Sequence, residues 1–536
     1  MNKFASRLGI ERLSKRIILA AIFTIVVISA TVTGVIYYII QSSNAENEYE
    51  LTIKDIDPAE IGVDEWLEDF SALYNYVQYN YPYLTLKNRT HGYNWLDLRA
   101  RYENQIKEAL DNAGFFSIIA DAVEALQNRH TNIVDPDYYS VYQSSYGSWL
   151  PICKKVFNND VVSASFYWKD IYNEYYNKKE NINYDVKIVY DRGVYRIVDG
   201  NGSWVEKYGN QSTILLVNDA PIDSAVLECF DKAYLDWDFT RKKHFLWMIT
   251  PHEFGNAVFT IKNEIGYQYD VSFDIINKSY ENSFCYPTTL SSPVIFNTWE
   301  DQSVAYIYFR SFSYYLEPYL LDILNFLNQI DDYKHLIIDI RGNEGGSSSN
   351  WYNYLVGPLI NETKELIRYL AYPNGKYVNK FRKEIHEYIT QNWGISSEDI
   401  PSDFEPLPPE VYENDYKICD FSFNIEPVNK VNFNGTISLL IDNIAFSASE
   451  NLAIFCKESN FATIYGTPSG GDGIIPTPIF FTLPNSKIVI RTPPSIGLES
   501  NGEANEESRT LPDVYYESSF GNFNELIYFV IEHITS

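Results

Sequence analysis

Three short apolar runs in the second half of the chain have the composition of strands that are buried on both faces. These runs are Val304–Phe309, Leu336–Ile340 and Ile437–Ile441. Between the first two, Glu317 to Ile330 has the apolar spacing of an amphipathic helix, and after the third, Leu452, Phe455 and Cys456 recur at helical spacing. Strand, helix and strand in succession predict parallel pairing with a right-handed crossover. The pattern therefore predicts an α/β core, which we place at residues 287–536.

The first half of the chain divides into a helical part and a β-rich part. From Ile61 to Gln127 apolar residues recur at helical spacing, which predicts a helical subdomain over residues 61–139. Residues 140–286 are rich in β-branched and aromatic residues interrupted by glycine turns, so short strands are expected there and the chain is α+β overall. In the core, the stretch around residues 350–430 is longer than a crossover helix requires, and we expect an insertion at the rim.

The N-terminus carries the pattern of a membrane anchor. Residues 17–40 contain no charged side chain, and they exceed the ~20 apolar residues that a spanning helix needs. Five lysines and arginines precede this run, which predicts a cytoplasmic tail at 1–16, a transmembrane helix at 17–40, a linker at 41–60 and an extracytoplasmic remainder. The alternative is a signal peptide cut near Ser29, although the apolar region of a signal peptide is usually shorter.

Composition narrows the classes of partner. The formal charge of −29 argues against nucleic acid as a partner, because phosphate binding needs clustered lysine and arginine. The five cysteines are scattered without CxxC spacing, so the sequence predicts neither a metal site nor a dense disulfide framework, and no cofactor is indicated. Cys456 lies on the apolar face of its predicted helix and is interpreted as a core residue.

Candidate chemistry lies where two of the apolar strands end. The strand at Ile437–Ile441 leads into a helix at Ser447-Ala448-Ser449-Glu450, and a serine at such a junction has nucleophile geometry. The alternative is that Ser447 is an ordinary helix N-cap. The strand at Leu336–Ile340 leads into a turn whose Gly345 and Gly346 could present backbone N–H groups to an oxyanion.

In this order, four motifs resemble the tail-specific (C-terminal processing) and tricorn-type serine peptidases. The motifs are Asp339-x-Arg341-x-Asn343-x-Gly345-Gly346, Ser447-Ala448-Ser449-Glu450, Tyr465-Gly466-Thr467-Pro468 and Leu511-Pro512-Asp513. The resemblance covers roughly the last 240 residues. It implies a crotonase-like ββα peptidase core and a serine peptidase activity on polypeptides.

The resemblance also implies roles for individual residues. His130, followed by Thr131, matches the general base of the tricorn-type branch, and Glu506 is the best match to the glutamate that orients the catalytic set. The N–H groups of Ala448 and of Gly345 or Gly346 would hold the oxyanion. Where the Ser-Lys branch has its lysine, this chain has Asp472, which favours the branch that uses histidine.

Within the β-rich part, Ser212 to Ile222 resembles the strand and turn before the last helix of PDZ-like domains, with Asp219 in place of the usual glycine. Such a domain could capture a chain end by β-augmentation, and the alternative is a β-rich insert with no binding role. We therefore expect a membrane-anchored, extracytoplasmic serine endopeptidase. Because Asn128 and Arg509 depart from the family pattern, the alternative is a catalytically inactive member that binds peptides or another ligand.

Overall fold

The computed structural model describes residues 49–181, 186–200, 207–208, 211–249, 251–273, 292–392, 407–413, 416–474 and 477–536. Contacts divide the chain into two units, Met1–Glu50 and Leu51–Ser536, and the architecture below is that of the second unit. The expected cytoplasmic tail and the expected transmembrane helix at 17–40 lie outside the described residues. Among the residues that are described, none of the helices combines the length and the apolar character that crossing a membrane requires.

Helices form most of the N-terminal part and alternate with strands in the core. In chain order they are α1 Val63–Asn80, α2 Leu84–His91, α3 Arg99–Glu108, α4 Asn112–Glu124, α5 Tyr139–Ser145, α6 Pro151–Val156, α7 Asn159–Asn181, α8 Ile222–Leu227, α9 Leu320–Gln329, α10 Ser348–Trp351, α11 Gly357–Leu359, α12 Lys376–Asn392, α13 Pro409–Glu413, α14 Ala448–Ser459, α15 Asn505–Ser508 and α16 Asn524–Thr535.

The strands of the first part are β1 Asn132–Ile133, β2 Val186–Asp191, β3 Val194–Gly200, β4 Thr213–Val217, β5 Ala220–Pro221, β6 Asp236–Asp238, β7 Lys243–Phe245, β8 Met248–Ile249, β9 Phe259–Lys262 and β10 Gln268–Val271. Those of the core are β11 Val294–Trp299, β12 Val304–Phe309, β13 His335–Asp339, β14 Lys364–Pro373, β15 Tyr416–Ile425, β16 Thr436–Ile441, β17 Thr463–Gly466, β18 Ile479–Thr482, β19 Val489–Thr492, β20 Ile496–Leu498 and β21 Val514–Tyr515.

The core is a six-stranded sheet in the order β11-β12-β13-β16-β17-β21, counted over the described residues. β11 is antiparallel to β12 and every other neighbouring pair is parallel, as the strand–helix–strand pattern predicts. Ile307, Ile338 and Leu439 lie in register across the centre and pack with α9 and α14 on one face. Ile337 and Leu440 face the other side, under α16. Because both faces are covered, the strands read as continuous apolar runs rather than alternating ones.

The helical part extends further than residue 139. Helices α5, α6 and α7 run from Tyr139 to Asn181, and the strands of the β-rich part begin at Val186. The expectation of strands from residue 140 is therefore wrong for residues 140–181. In α7, Val161, Ala164 and Trp168 are buried at helical spacing. Tertiary packing of this face overrides the strand preference of the β-branched and aromatic residues around it.

The β-rich part is a sheet ordered β10-β9-β4-β3-β2-β8, with β5 paired to β4. β4, a tight turn and α8 follow one another over Thr213–Leu227, as the sequence predicts. Asn218 and Asp219 both have positive φ, at 48° and 64°, and both residue types tolerate that conformation. Aspartate can therefore stand where the pattern usually has glycine.

The described residues of the stretch around 350–430 form an insertion of strands and helices. Its long strands β14 and β15 pair antiparallel from Lys364↔Ile425 to Pro373↔Tyr416, and β14 also pairs with β20. Helix α12 packs against the helical part, where Val378 N–H donates to Asn80 Oδ1 at 3.1 Å. The insertion thus joins the core to α1.

Candidate active site

Ser447 lies on a strained turn between β16 and α14. Its φ of 60° and ψ of −119° are rare for a residue with a side chain, and such strain persists where the surroundings enforce it. The hydroxyl makes no capping hydrogen bond to its helix, so the N-cap alternative does not describe it. Instead, Ser447 Oγ lies 3.0 Å from His130 Nε2. The turn points the hydroxyl at an imidazole rather than at the helix.

Two glycine-containing turns hold this backbone in place. Phe446 N–H donates to the carbonyl of Asn343 at 3.2 Å, and Ser447 N–H donates to the carbonyl of Gly471 at 3.3 Å. A Cβ on Gly345 would lie 2.8 Å from both Ser447 Cβ and Ala448 N. Glycine is needed at 345 because the turn after β13 packs directly against the nucleophile turn.

His130 lies in the segment between α4 and β1 and is buried. Its backbone N–H donates to Asn128 Oδ1 at 2.9 Å, and its ring packs on Phe446 with centroids 4.5 Å apart. Its Nδ1 lies 2.9 Å from Asp472 Oδ2 while Nε2 faces Ser447. An ionised carboxylate on Nδ1 fixes the proton there and leaves the Nε2 lone pair directed at the serine.

Asp472 is the carboxylate that contacts His130, and its own surroundings favour the ionised form. It is buried and also accepts from Tyr83 Oη at 2.8 Å and from Asn128 Nδ2 at 2.9 Å. Burial opposes ionisation, but the adjacent His130 and these hydrogen bonds together hold the pKa of Asp472 below its ordinary value. Asn128, a departure from the family pattern, is thus a donor to this carboxylate.

The structure does not bring Glu506 to His130. Glu506 Oε1 instead pairs with Lys87 Nζ at 2.5 Å, and both side chains are buried. Burial raises the pKa of Glu506 despite the opposing effect of Lys87. The expectation that Glu506 orients the imidazole is therefore corrected: Asp472 occupies that place, because the turn at Gly471 directs the side chain of residue 472 toward His130.

The candidate oxyanion donors differ in what they already bind. Gly345 N–H donates to Asn343 Oδ1 at 2.9 Å, so it is occupied. Among the described residues, neither the Gly346 N–H nor the Ala448 N–H has an acceptor in the protein. Gly345 and Ser347 on either side of Gly346 both bond to Phe312, at 2.8 Å each, and Ala448 opens α14. Unsatisfied N–H groups at a helix start suit an anion.

Two further residues of the nucleophile turn point inward. Ser449 is fully buried and its hydroxyl has no partner among the described residues. Glu450 is also fully buried, and its Oε1 accepts from Asn505 Nδ2 at 2.7 Å and from both N and Oγ1 of Thr510 at 3.0 and 2.9 Å. Burial raises the pKa of Glu450 to about 7. The serine that reaches His130 is Ser447.

Comparison with known proteins finds one family to which part of the chain is similar. Residues 303–516 match the model of peptidase family S41. This part of the chain is similar to peptidase family S41, a family of serine peptidases. The matched segment contains Ser447, Asp472 and the turn at Gly345, whereas His130 lies outside it. A search of curated protein sequences finds no match.

Two solved structures of mature CPAF share the fold of this chain. The structure of mature CPAF is 13% identical over 88% of this chain and 96% of that one, with a TM-score of 0.52. Mature CPAF complexed with lactacystin is 12% identical over 88% and 98% of the two chains, with a TM-score of 0.51. The photosystem II D1 C-terminal processing protease is 12% identical over 88% and 97%, with a TM-score of 0.37. At these identities the likeness to mature CPAF is one of fold.

Proposed function

We propose that this S41 peptidase is an endopeptidase that cleaves polypeptides through Ser447, with His130 as base and Asp472 as the group that orients it. The observation that carries the proposal is the continuous contact from Ser447 Oγ to His130 Nε2 at 3.0 Å and from His130 Nδ1 to Asp472 at 2.9 Å. Nucleophile, base and orienting carboxylate in hydrogen-bond reach are the signature of covalent catalysis by a serine.

The chemistry follows from the proton positions. Ser447 Oγ attacks the peptide carbonyl as its proton passes to His130 Nε2, and the ionised Asp472 stabilises the imidazolium that forms. The N–H groups of Gly346 and Ala448 receive the oxyanion, while Gly345 N–H stays bonded to Asn343 and shapes the turn. His130 then protonates the leaving amine, and water hydrolyses the acyl-enzyme by the same route.

Three finer parts of the proposal concern the anchor, the core and the β-rich part. Residues 17–40 anchor the protein in a membrane with the peptidase outside the cytoplasm, a proposal supported by the sequence pattern alone. The core is crotonase-like and the β-rich part is PDZ-like and captures a substrate chain end. The β4–turn–α8 order over Thr213–Leu227 supports the PDZ-like assignment of the β-rich part.

Single-residue variants of the full chain test the catalytic set. Ser447→Ala should abolish labelling by a fluorophosphonate and nearly all hydrolysis of an unstructured peptide, because it removes the nucleophile. His130→Ala should lose a similar amount, and the double variant little more, because the two residues act as a unit. Ser449→Ala is the matched control and should be labelled normally. A wild-type protein that cleaves no peptide, with Ser447→Ala binding the same peptides equally well, would favour the binding-module alternative.

A further inference from the structure

One buried carboxylate outside the proposed catalytic set bonds to residues that lie on or against the segments of His130, Ser447 and Asp472. Asp236, at the start of β6 in the β-rich part, accepts four hydrogen bonds. The donors are Arg129 Nη2 at 2.7 Å, Asn443 Nδ2 at 2.8 Å, Arg509 Nη1 at 2.7 Å and the N–H of Trp237 at 2.8 Å. Burial opposes its ionisation, but Arg509 and Arg129 hold the pKa of Asp236 below its ordinary value.

Each long-range partner of Asp236 is next to a residue of the proposed catalytic set. Arg129 directly precedes His130. Asn443 lies in the loop between β16 and Ser447, and its carbonyl also accepts from Arg129 Nη1 at 2.9 Å. Arg509 packs on the turn before Asp472, where a Cβ on Gly471 would lie 3.2 Å from Arg509 Cγ.

The side chains of residues 127–130 alternate between two sets of partners. Gln127 and Arg129 reach the β-rich part: Gln127 Nε2 donates to the carbonyl of Ala233 at 2.7 Å, and its Oε1 accepts from the N–H of Leu235 at 2.8 Å. Asn128 and His130 reach Asp472 instead.

Leu235 is buried in the core of the β-rich part. The segment that presents the base is therefore held from one side by this part and from the other by the catalytic carboxylate.

From this geometry we infer that Asp236 is a positioning residue, through which the β-rich part holds the segments of His130, Ser447 and Asp472 in register. It touches no reacting atom and acts through Arg129, Asn443 and Arg509. This inference rests on the proposed function for its effect on turnover, but the contacts themselves do not depend on that function. Misplacement of a catalytic group by ~1 Å can cost on the order of 100-fold in rate.

The test compares isosteric variants of two aspartates in β6. Asp238, two residues along β6, is also buried and paired with an arginine, Arg241 at 2.8 Å, and with Tyr190 Oη at 2.7 Å. Among the described residues it makes no hydrogen bond or ion pair with the three catalytic segments. Asp236→Asn should lower kcat for a short peptide substrate roughly 10- to 100-fold with KM within about twofold, whereas Asp238→Asn should keep kcat. Equal losses of kcat in the two variants would overturn the inference.

A second variant covers the case in which Asp236→Asn does not fold. Arg129→Lys keeps a positive charge opposite Asp236 but replaces the planar guanidinium, which bonds Asp236 and the Asn443 carbonyl through two nitrogens, with a compact ammonium. It should lower kcat with little change in thermal midpoint. Where Asp236→Asn does fold, it should lower kcat by a smaller factor in the Arg129→Lys background than in wild type, since both changes act on the same contact. Full additivity, or unchanged kcat in Arg129→Lys, would contradict the positioning role.

A readout that needs no turnover separates this inference from the proposed function. In the ¹⁵N-histidine-labelled full chain, the hydrogen bond from His130 Nδ1–H to Asp472 should give a low-field N–H resonance, identified by its loss in His130→Ala. Asp236→Asn should broaden or shift this resonance, and Asp238→Asn should leave it in place. If the wild-type protein hydrolyses no peptide, the proposed function fails while this comparison still decides the inference. A resonance unchanged in Asp236→Asn would overturn it.

Discussion

At the scale of single residues, the site depends on which carboxylate meets the imidazole. Asp472 and Glu506 are both buried near the helical part, but only Asp472 reaches His130, while Glu506 is bonded to Lys87. Sequence spacing places residue 472 where the Ser-Lys branch of the peptidases has its lysine. Spacing alone cannot show that an aspartate at this position contacts His130, which is far away in the chain. That outcome depends on the positive φ of 53° at Asp472 and on donors from Tyr83 and Asn128.

Exchanging these two carboxylates for amides should have different consequences. Asp472→Asn no longer fixes the proton on Nδ1, so kcat should fall by roughly four orders of magnitude with the fold retained. Glu506→Gln leaves Lys87 buried without its partner, which should cost about 3–5 kcal/mol of unfolding free energy but leave the specific activity of the folded protein within about tenfold. Steady-state kinetics and thermal unfolding of both variants measure this. A large loss of kcat in Glu506→Gln with little loss in Asp472→Asn would instead identify Glu506 as the residue that orients His130.

Glu450 should make the unfolding free energy of the protein depend on pH. Burial raises its pKa to about 7 in the folded protein, above the 4.5 expected when unfolded. Between these values the unfolded chain releases the proton that the folded protein keeps, so this residue lowers the unfolding free energy as pH rises, by about 3 kcal/mol at most.

Above about pH 7 both states are ionised and this contribution becomes constant. The unfolding free energy of wild type, measured by denaturant unfolding, should therefore fall relative to that of Glu450→Gln from pH 5 to 7. Above pH 7 the difference between the two proteins should stay constant. Glu300→Gln, an exposed control, should track wild type throughout. If the unfolding free energies of wild type and Glu450→Gln differ by the same amount at every pH from 5 to 7, the pKa of Glu450 is not raised by burial.

At the scale of elements, the sequence predicts structure best where the local preference of a segment agrees with the way that segment is buried. The apolar runs of β12, β13 and β16 are continuous because helices cover both faces of the sheet, and their pairing is parallel as predicted. α7 was missed because its residues favour strands while its buried face, from Val161 to Trp168, is set by tertiary contacts. Asp236 gave no sequence signal, since its partners at 129, 443 and 509 are adjacent only in the fold.

The turn after β13 should tolerate no side chain at Gly345. Gly345 has a φ of 97°, and its Cβ would meet Phe446 O at 2.7 Å and Ser447 Cβ at 2.8 Å. Gly345→Ala should therefore displace the nucleophile turn and lower kcat by on the order of 100-fold. Gly266 has a φ of 96° with nothing within 4 Å of a Cβ, so Gly266→Ala introduces the same backbone strain, about 1 kcal/mol, without the clash. Peptide hydrolysis by the two variants should differ sharply, and similar kcat values would rule out the packing argument.

At the scale of the whole molecule, the proposed catalytic set is assembled from distant parts of one compact unit. His130 and Ser447 are 317 positions apart in sequence, and the carboxylate that joins their segments comes from the β-rich part between them. All of these residues lie within Leu51–Ser536. The chemistry therefore has no residue in common with the proposed anchor, and the two should be separable.

Removal of residues 1–48 tests that separation. The full chain should fractionate with membranes, and its peptidase part should be cleaved by an added protease only from the extracytoplasmic side, because the positive charges before residue 17 remain inside. The shortened chain should leave the membrane fraction and keep kcat for a short peptide within about twofold of the full chain, since the described residues that bond to Ser447, His130 or Asp472 are all retained. Sequencing of the mature N-terminus is the accompanying measurement. A mature chain that begins beyond Ser29 and is released without detergent would show that residues 17–40 act as a cleaved signal, and loss of kcat on shortening would show that the N-terminal unit contributes to the site.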